Sequence, residues 1–369
     1  MKQTQLGFWT IALAATASAQ PCVMPVPLGS YNTPGYSRGV AIVDTTAYIA
    51  DSDDGLLIID VSDPRSPTLL ASYDTPGTAL GVAVVGTKAY VADNQAGLQI
   101  IDVSDPSAPS LLGNYNTAGT AINVTVVGNL AYVADGFAGM QIIDVTHPFA
   151  PIHLGGYDTP GQAQAVAISG NTAYIADDFA GFQIVDVANP DNTSLLSTFN
   201  TLFYALDVDA VGTTMFVTDF SQGVWAIDAS DPANIVVLDS IDFADRAEAM
   251  AIEGSLAYIA HGLAGITVLD IGNPSDLVPL ATKRISGTSG DIAFLNGRAY
   301  LASGSAGLQV VKAKPCPPDT NCDGVLSPDD FSAWIAAFNA GSNRCDQNAD
   351  GLCTPADFTA WIANFNMGC

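Results

Sequence analysis

Basic residues are scarce in this sequence. Its 369 residues include 11 Lys and Arg against 37 Asp and Glu, which gives a formal net charge of -26. A chain this acidic repels phosphate backbones and anionic lipid surfaces. Nucleic acids and anionic membranes are therefore excluded as expected partners.

Long apolar runs and the short motifs of common enzyme classes are also missing. After the N-terminal segment, no stretch is apolar for long enough to span a bilayer. The sequence has no nucleophile elbow, zinc-binding helix, phosphate-binding loop or Cys-His pairing. It has instead 49% hydrophobic residues, 34 Gly and 21 Pro, which predicts a globular, turn-rich, all-β protein.

The first 19 residues are typical of an export signal. Lys2 supplies the positive end, "LGFWTIALAATA" supplies a short apolar run, and "ASA" precedes Gln20. We expect cleavage after Ala19 and a secreted or cell-surface protein without a lipid anchor.

A 42-residue repeat fills most of the chain. The segment "AYIAD" and its variants recur seven times without an insertion, at Tyr48, Tyr90, Tyr132, Tyr174, Phe216, Tyr258 and Tyr300. Each copy divides into four short strands separated by Gly, Pro, Asn and Asp turns. Four antiparallel strands at this period predict one blade of a β-propeller. The repeated string "IIDVSDP", seen from Ile100, resembles the LVIVD-repeat family of bacterial secreted and surface proteins over residues 25 to 312.

The repeat register predicts how the ring closes. The fourth-strand leucine of each copy recurs every 42 residues from Leu28, whereas the last copy ends near Val311 without a fourth strand. "PVPLGSY" should therefore complete blade seven and remove an open sheet edge. We expect a seven-bladed propeller over residues 20–314 and a separate module over 315–369.

The six cysteines allow two interpretations. Cys22 and Cys316 fall at the same repeat position, where a disulfide would staple the ring shut in an exported protein. Alternatively, Cys316 pairs within the tail, which holds Cys322, Cys345, Cys353 and Cys369. Six cysteines allow fifteen pairings, so the connectivity stays open.

The tail contains two strings that match the template of a calcium-binding loop. Oxygen ligands are expected at alternate positions around a glycine turn. In the first string they are Asp319, Asn321, Asp323, Val325 through its carbonyl, Ser327 and Asp330; in the second they are Asp346, Asn348, Asp350, Leu352 through its carbonyl, Thr354 and Asp357. Duplication favours two calcium ions over a merely acidic turn.

An amphipathic helix should follow each loop. The first carries Phe331, Trp334, Ile335 and Phe338, and the second repeats this stripe with Phe358, Trp361, Ile362 and Phe365. The paired loop-plus-helix pattern ending in "GC" resembles a dockerin-like module. This resemblance implies a protein partner, either cohesin-like or a component of the cell envelope. Pro328 and Asp329, like Pro355 and Ala356, stand where partner-reading dockerins carry small hydroxyl residues, which favours an attachment tag.

The propeller face offers two candidate sites. The residue after each "AYVA" forms a column of Asp51, Asp93, Asp135, Asp177, Asp219, His261 and Ser303, which either caps turns or binds a ligand or cation. Blade-specific residues at the entry to the first strand either line the channel mouth or represent drift on an exposed loop; they are Tyr36, Arg38, Gln162, Gln164, Tyr204, Arg246 and Glu248. With His261 they form the candidate ligand surface.

These patterns favour an exported binding or surface-display propeller attached through a calcium-stabilised module. The alternative is a secreted lyase or hydrolase acting on polysaccharide, with its site near Arg38, Arg246, Glu248 and His261. A purely structural scaffold is a third hypothesis.

Overall fold

A computed structural model describes residues 24–201, 204–243, 245–313, 327–339 and 354–367. For residues 364–367 it describes the backbone alone. Within these residues the chain forms 28 β-strands, a short 3-10 helix at Pro190–Asn192 and two α-helices. They belong to two compact bodies. The strands lie within Val23–Pro315, and both α-helices lie within Cys316–Cys369.

Seven antiparallel four-stranded sheets, the blades, make up the first body. The innermost strands are β2 (Gly39–Val43), β6 (Gly81–Val85), β10 (Asn123–Val127), β14 (Ala165–Ser169), β18 (Ala205–Val211), β22 (Ala249–Glu253) and β26 (Asp291–Leu295). The second strands are β3 (Thr46–Ala50), β7 (Lys88–Ala92), β11 (Leu130–Ala134), β15 (Thr172–Ala176), β19 (Thr214–Asp219), β23 (Leu256–His261) and β27 (Arg298–Ala302).

The third and outer strands complete the blades. The third strands are β4 (Leu56–Asp60), β8 (Leu98–Asp102), β12 (Met140–Asp144), β16 (Phe182–Asp186), β20 (Gly223–Asp228), β24 (Gly265–Asp270) and β28 (Leu308–Lys312). The outer strands are β5 (Thr68–Tyr73), β9 (Ser110–Tyr115), β13 (Ile152–Tyr157), β17 (Ser194–Phe199), β21 (Val236–Ile241), β25 (Val278–Lys283) and, from the N-terminal part, β1 (Val26–Tyr31). Each innermost strand contacts those of the two neighbouring blades, so the seven form a closed ring around a channel.

The N-terminal strand closes the ring, as the repeat register predicts. β1 pairs antiparallel with β28, from Val26 opposite Lys312 to Tyr31 opposite Leu308. The β1–β28 ladder has a bulge between Pro27 and Gly29. Each of the remaining six outer strands also pairs with its third strand through a ladder that contains a bulge. The all-β, seven-bladed architecture is therefore confirmed.

The repeated "AYIA" and "LIID" segments are buried on both faces because each blade packs between two others. Tyr48 and Ile58 of the first blade share one apolar cluster with Val91 and Ile101 of the second. A strand covered on both sides needs a continuous apolar run, which explains why these segments do not alternate.

A glycine is required at one turn of every repeat. Gly97 precedes β8 with φ +74°, and a Cβ there would lie 2.3 Å from the carbonyl oxygen of Tyr115. Only glycine fits such a left-handed position against a neighbouring backbone. The same position is a glycine in all seven copies.

The second body contains helices α1 (Pro328–Asn339) and α2 (Pro355–Met367). Their aromatic rings pack together: the Phe331 ring lies 5.5 Å from that of Phe358 and 5.4 Å from that of Trp361. Ile335 and Ile362, expected in the same stripes, are about 40% exposed. The paired helices are thus present, with contact concentrated on the aromatic residues.

Candidate functional site

The central channel opens into a cavity of about 500 Å³ at one end of the ring. All seven blades contribute residues from the loop that enters the innermost strand and from the start of that strand. The lining includes apolar, polar and charged side chains: Tyr36, Arg38, Leu80, Val82, Ile122, Gln162, Gln164, Asp207, Arg246, Glu248 and Asp291. A volume of this size is typical of sites for small ligands or single side chains.

Six of the eight residues of the predicted ligand surface line this cavity: Tyr36, Arg38, Gln162, Gln164, Arg246 and Glu248. Tyr204 does not line it. Its exposed ring instead packs edge-to-face on Phe220, with the ring centroids 6.0 Å apart.

His261 lies away from the cavity and is buried. Its Nδ1 is 2.8 Å from the Thr267 hydroxyl, its Nε2 is 3.1 Å from the carbonyl oxygen of Asp245, and its ring packs on Phe243. Burial lowers the pKa of His261, against the opposing effect of the hydrogen bond and charge of Asp245. A neutral, enclosed imidazole is suited to holding the loop before β22.

Charged side chains surround the mouth on blades six and one. Arg246 forms an ion pair with Glu248 at 3.1 Å and lies over the Phe220 ring at 5.2 Å. Arg38 lies over the Tyr36 ring at 4.6 Å. Burial raises the pKa of Glu248, and the neighbouring Arg246 opposes that shift. These pairings hold flat, polar groups at the edge of the cavity.

Two channel carboxylates, Asp207 and Asp291, were missed by the sequence reasoning; we call them the acid pair. They occupy, in blades five and seven, the repeat position at which the innermost strand begins in the six blades other than blade five. The other blades have uncharged residues there, namely Gly39, Gly81, Asn123, Ala165 and Ala249. Comparing the repeats column by column at this position, one residue beyond Arg38 and Glu248, would have found them.

The acid pair caps backbone N–H groups of the next blade. Asp207 Oδ2 accepts from the Met250 N–H at 2.9 Å, and Asp291 Oδ2 accepts from the Val40 N–H at 2.8 Å. Burial raises the pKa of Asp207 to about 7, with Asp291 and Asp209 adding like-charge repulsion. Burial likewise raises the pKa of Asp291 to about 6.

Asp207→Asn should stabilise the protein at pH 8. In the unfolded chain Asp207 ionises near its ordinary pKa of 3.8, so stability falls as pH rises from about 4 to about 7. The full shift would represent about 4 kcal/mol, and screening by water in the channel reduces our expectation to about 2 kcal/mol.

Urea unfolding at pH 4 and pH 8 measures this gain. The gain should be near zero at pH 4, where Asp207 is neutral in the folded protein. Asp158→Asn, on an exposed loop, is the control for removing one negative charge. A destabilisation at pH 8 would mean that capping outweighs the cost of the buried charge.

The aspartate column ties the loop before the innermost strand to the turn after the second strand. Asp93 is fully buried; its Oδ1 accepts from the Thr75 hydroxyl at 2.7 Å and its Oδ2 from the Gly77 N–H at 2.9 Å. Asp51 and Asp135 receive the same pair of bonds from their own loops. Asp219 differs, because it caps Ser221 and Gln222 of its own turn. These contacts favour the turn-capping interpretation.

No group of three or more His, Cys, Asp or Glu side chains is placed to hold a metal ion in the part of the chain that the structure describes. That part includes four of the twelve predicted calcium ligands: Ser327, Asp330, Thr354 and Asp357. The other eight, all six cysteines and the predicted export signal lie outside it. Among the described helices, none is long and apolar enough to cross a membrane.

The last ligand position of each predicted loop lies in the first turn of a helix. Asp330 is fully buried and its Oδ2 accepts from the Ser327 N–H at 2.8 Å; Asp357 does the same for Thr354 at 2.7 Å. The Ser327 hydroxyl in turn accepts from the Asp329 N–H at 3.2 Å. This reciprocal capping fixes both carboxylates at the ends of their loops. Oxygen donors at fixed, matching positions suit a hard cation such as calcium.

Comparison with known proteins identifies repeats of one family. The family described as LVIVD repeat matches residues 34–75, 76–117, 118–159, 160–201 and 245–280, together more than half of the chain. No curated protein matches the chain.

Solved structures share the fold. A chain of the mitotic checkpoint complex is similar over 85% of this chain and all of its own, with 11% identity and a TM-score of 0.64. The β-propeller domain of Myceliophteria thermophila Cps50 (Swd1) is similar over 79% of this chain and all of its own, again with 11% identity and a TM-score of 0.64. The computationally designed Ika8 protein is similar over 77% of this chain and 99% of its own, with 10% identity and a TM-score of 0.58.

Proposed function

The chain belongs to the LVIVD-repeat family, and from that premise we propose that it is an exported binding protein whose ligand enters the mouth of the propeller channel. The observation that carries this proposal is the cavity itself. The repeats agree closely in their strands and turns, whereas the residues lining the cavity differ from blade to blade. Divergence concentrated around one concave surface is what a specific binding site requires.

Filling the cavity should weaken ligand binding. Ile122 lines the cavity just before β10, and Ile122→Trp would occupy the space without adding charge. Val127→Trp at the exposed far end of the same strand is the matched control. A panel of oligosaccharides, peptides and amines, screened by thermal shift and verified by calorimetry, should yield a ligand that binds at one site. Ile122→Trp should weaken its binding at least about tenfold, and Val127→Trp should change it less than about twofold. Equal binding by both variants would place the ligand elsewhere.

A polysaccharide-cleaving enzyme is the second candidate. Glu248, with its raised pKa, shares the cavity with the acid pair, so an acid and a base are available in one place. The same panel decides this question: turnover of an oligosaccharide that is lost in Glu248→Gln would replace the binding role with this one.

We further propose that the C-terminal module binds two calcium ions and attaches the propeller to a cohesin-like protein or an envelope component. Asp330 and Asp357 would each close one loop, together with Ser327, Thr354 and the remaining predicted ligands. Calcium would supply the charge that holds the acidic loops together. Capture of the partner from envelope extract by the full chain should require calcium and be lost with a chelator.

A further inference from the structure

The cavity has two chemically different sides. Leu80 and Val82 of blade two and Ile122 of blade three form an apolar wall. In a seven-membered ring, the midpoint between blades two and three lies opposite blade six. The apolar wall therefore faces Glu248, with the acid pair on the flanking blades five and seven. A ligand that fills the cavity must be apolar on one side and polar on the other.

The acid pair has no basic partner within ion-pair distance among the described residues. The one ion pair in that part of the chain joins Arg246 to Glu248, and Arg38 lies on the Tyr36 ring. The charges that act on Asp207 are those of Asp291 and Asp209, both of the same sign. Both carboxylates are half-buried and accept only backbone N–H groups, so a cation that enters the cavity would offset the cost of their negative charge.

The acid pair lies outside the repeats that match the family. Asp207 lies in the unmatched segment between residues 201 and 245, and Asp291 lies beyond residue 280. The family repeat therefore does not account for these carboxylates. Blade five is also altered around Asp207: its backbone N–H donates to the Thr218 hydroxyl at 3.0 Å, and β18 bulges between Ala205 and Asp207.

We propose that the cavity binds an aliphatic amine, with its hydrocarbon stem against the apolar wall and its ammonium group between Asp207 and Asp291. This inference rests on the proposed binding role of the channel mouth. The ammonium group is a compact donor of three hydrogen bonds, and each carboxylate oxygen that caps an N–H keeps a further lone pair. The same chemistry is offered by a lysine side chain of a protein and by a free diamine.

Calorimetry on the full-length protein tests the proposal with three probes of similar stem. Nα-acetyl-lysine methylamide and 1,5-diaminopentane carry the ammonium group, and Nα-acetyl-norleucine methylamide lacks it. We expect at least one amine to bind at least about tenfold more tightly than the norleucine compound, as suits charge-assisted hydrogen bonds. The amine that binds more tightly shows whether the cavity takes a lysine side chain of a protein or a free diamine.

Variants and proton release make the test specific. The Asp207→Asn, Asp291→Asn double variant should lose at least about thirtyfold in amine affinity, whereas Asp209→Asn, outside the cavity lining, should change it less than about twofold. Near pH 6.5, binding should also release protons from the acid pair, measured in two buffers of different ionisation enthalpy. Three other charged residues line the same cavity as the acid pair, namely Glu248, Arg246 and Arg38. Asp209 lies outside the lining, but its charge acts on Asp207.

Failure of this proposal differs from failure of the binding role. If neither amine binds, or the double variant binds as the original protein does, the amine assignment is wrong. A different ligand that is still lost in Ile122→Trp would leave the binding role intact. Urea unfolding of the Asp207→Asn, Asp291→Asn double variant and of Asp209→Asn establishes that each variant is folded under the conditions in which its binding is measured.

Discussion

Asp93→Ala should lower the free energy of unfolding of the propeller by about 3 kcal/mol, because it leaves two buried donors without an acceptor. The lost bonds come from the Thr75 hydroxyl and the Gly77 N–H, which hold the loop before β6 against the turn after β7. Asp93→Asn keeps one acceptor oxygen, so it should lose only part of this stability. Urea unfolding followed by circular dichroism measures both.

Asp102→Ala is the matched control in the same blade. Asp102 also accepts a backbone hydrogen bond, from the Ser104 N–H at 2.9 Å, but it lies at the surface, where water replaces the lost contact. Its removal should therefore cost far less than removal of Asp93. Equal losses for the two variants would mean that burial of the aspartate column contributes nothing.

Asp330→Asn should weaken calcium binding at one of two sites by at least about tenfold, since a carboxylate ligand is replaced by a neutral amide. The amide oxygen can still accept from the Ser327 N–H, so the helix cap is kept. Calorimetry of the full chain with calcium chloride should show two sites in the original protein.

Asp329→Asn provides the control for this measurement. Asp329 is an exposed acidic residue in the same first helical turn, outside the predicted ligand positions. It should leave both affinities within about twofold. If Asp329→Asn weakens binding as much as Asp330→Asn, the acidic helix start attracts calcium only through its charge and the loop assignment is wrong. No calcium binding by the original protein would also overturn it.

The proposed binding role would carry a cost in stability. The acid pair caps the N–H groups of Met250 and Val40, and its burial raises both pKa values and so opposes ionisation. Neutral residues occupy the same position in the other five blades. A cavity residue whose pKa is strongly raised by burial is a candidate functional residue. Asp207→Asn should therefore gain stability and lose ligand binding together.

The sequence predicted the propeller because its period and turn chemistry are local properties. The 42-residue spacing, the glycine at or just before the start of each third strand, and the leucine at Leu28 predict the strands, the blade number and the closing strand β1. Six residues of the cavity lining were also found, because they depart from the repeat at two positions of the loop that enters the innermost strand. The aromatic stripes of α1 and α2 followed from helical spacing alone.

Only the tertiary structure decided which side chains meet across the ring. In blade six, Glu248 precedes β22 and lines the cavity, whereas His261, at the end of β23, is enclosed by Thr267 and Phe243. Asp207 and Asp291 are 84 residues apart in the sequence and belong to different blades. Their interaction depends on the curvature of the closed ring, and the rise in their pKa values depends on burial by all seven blades. A repeat register gives the place of a residue within its blade, whereas distance and desolvation exist only once the ring has formed.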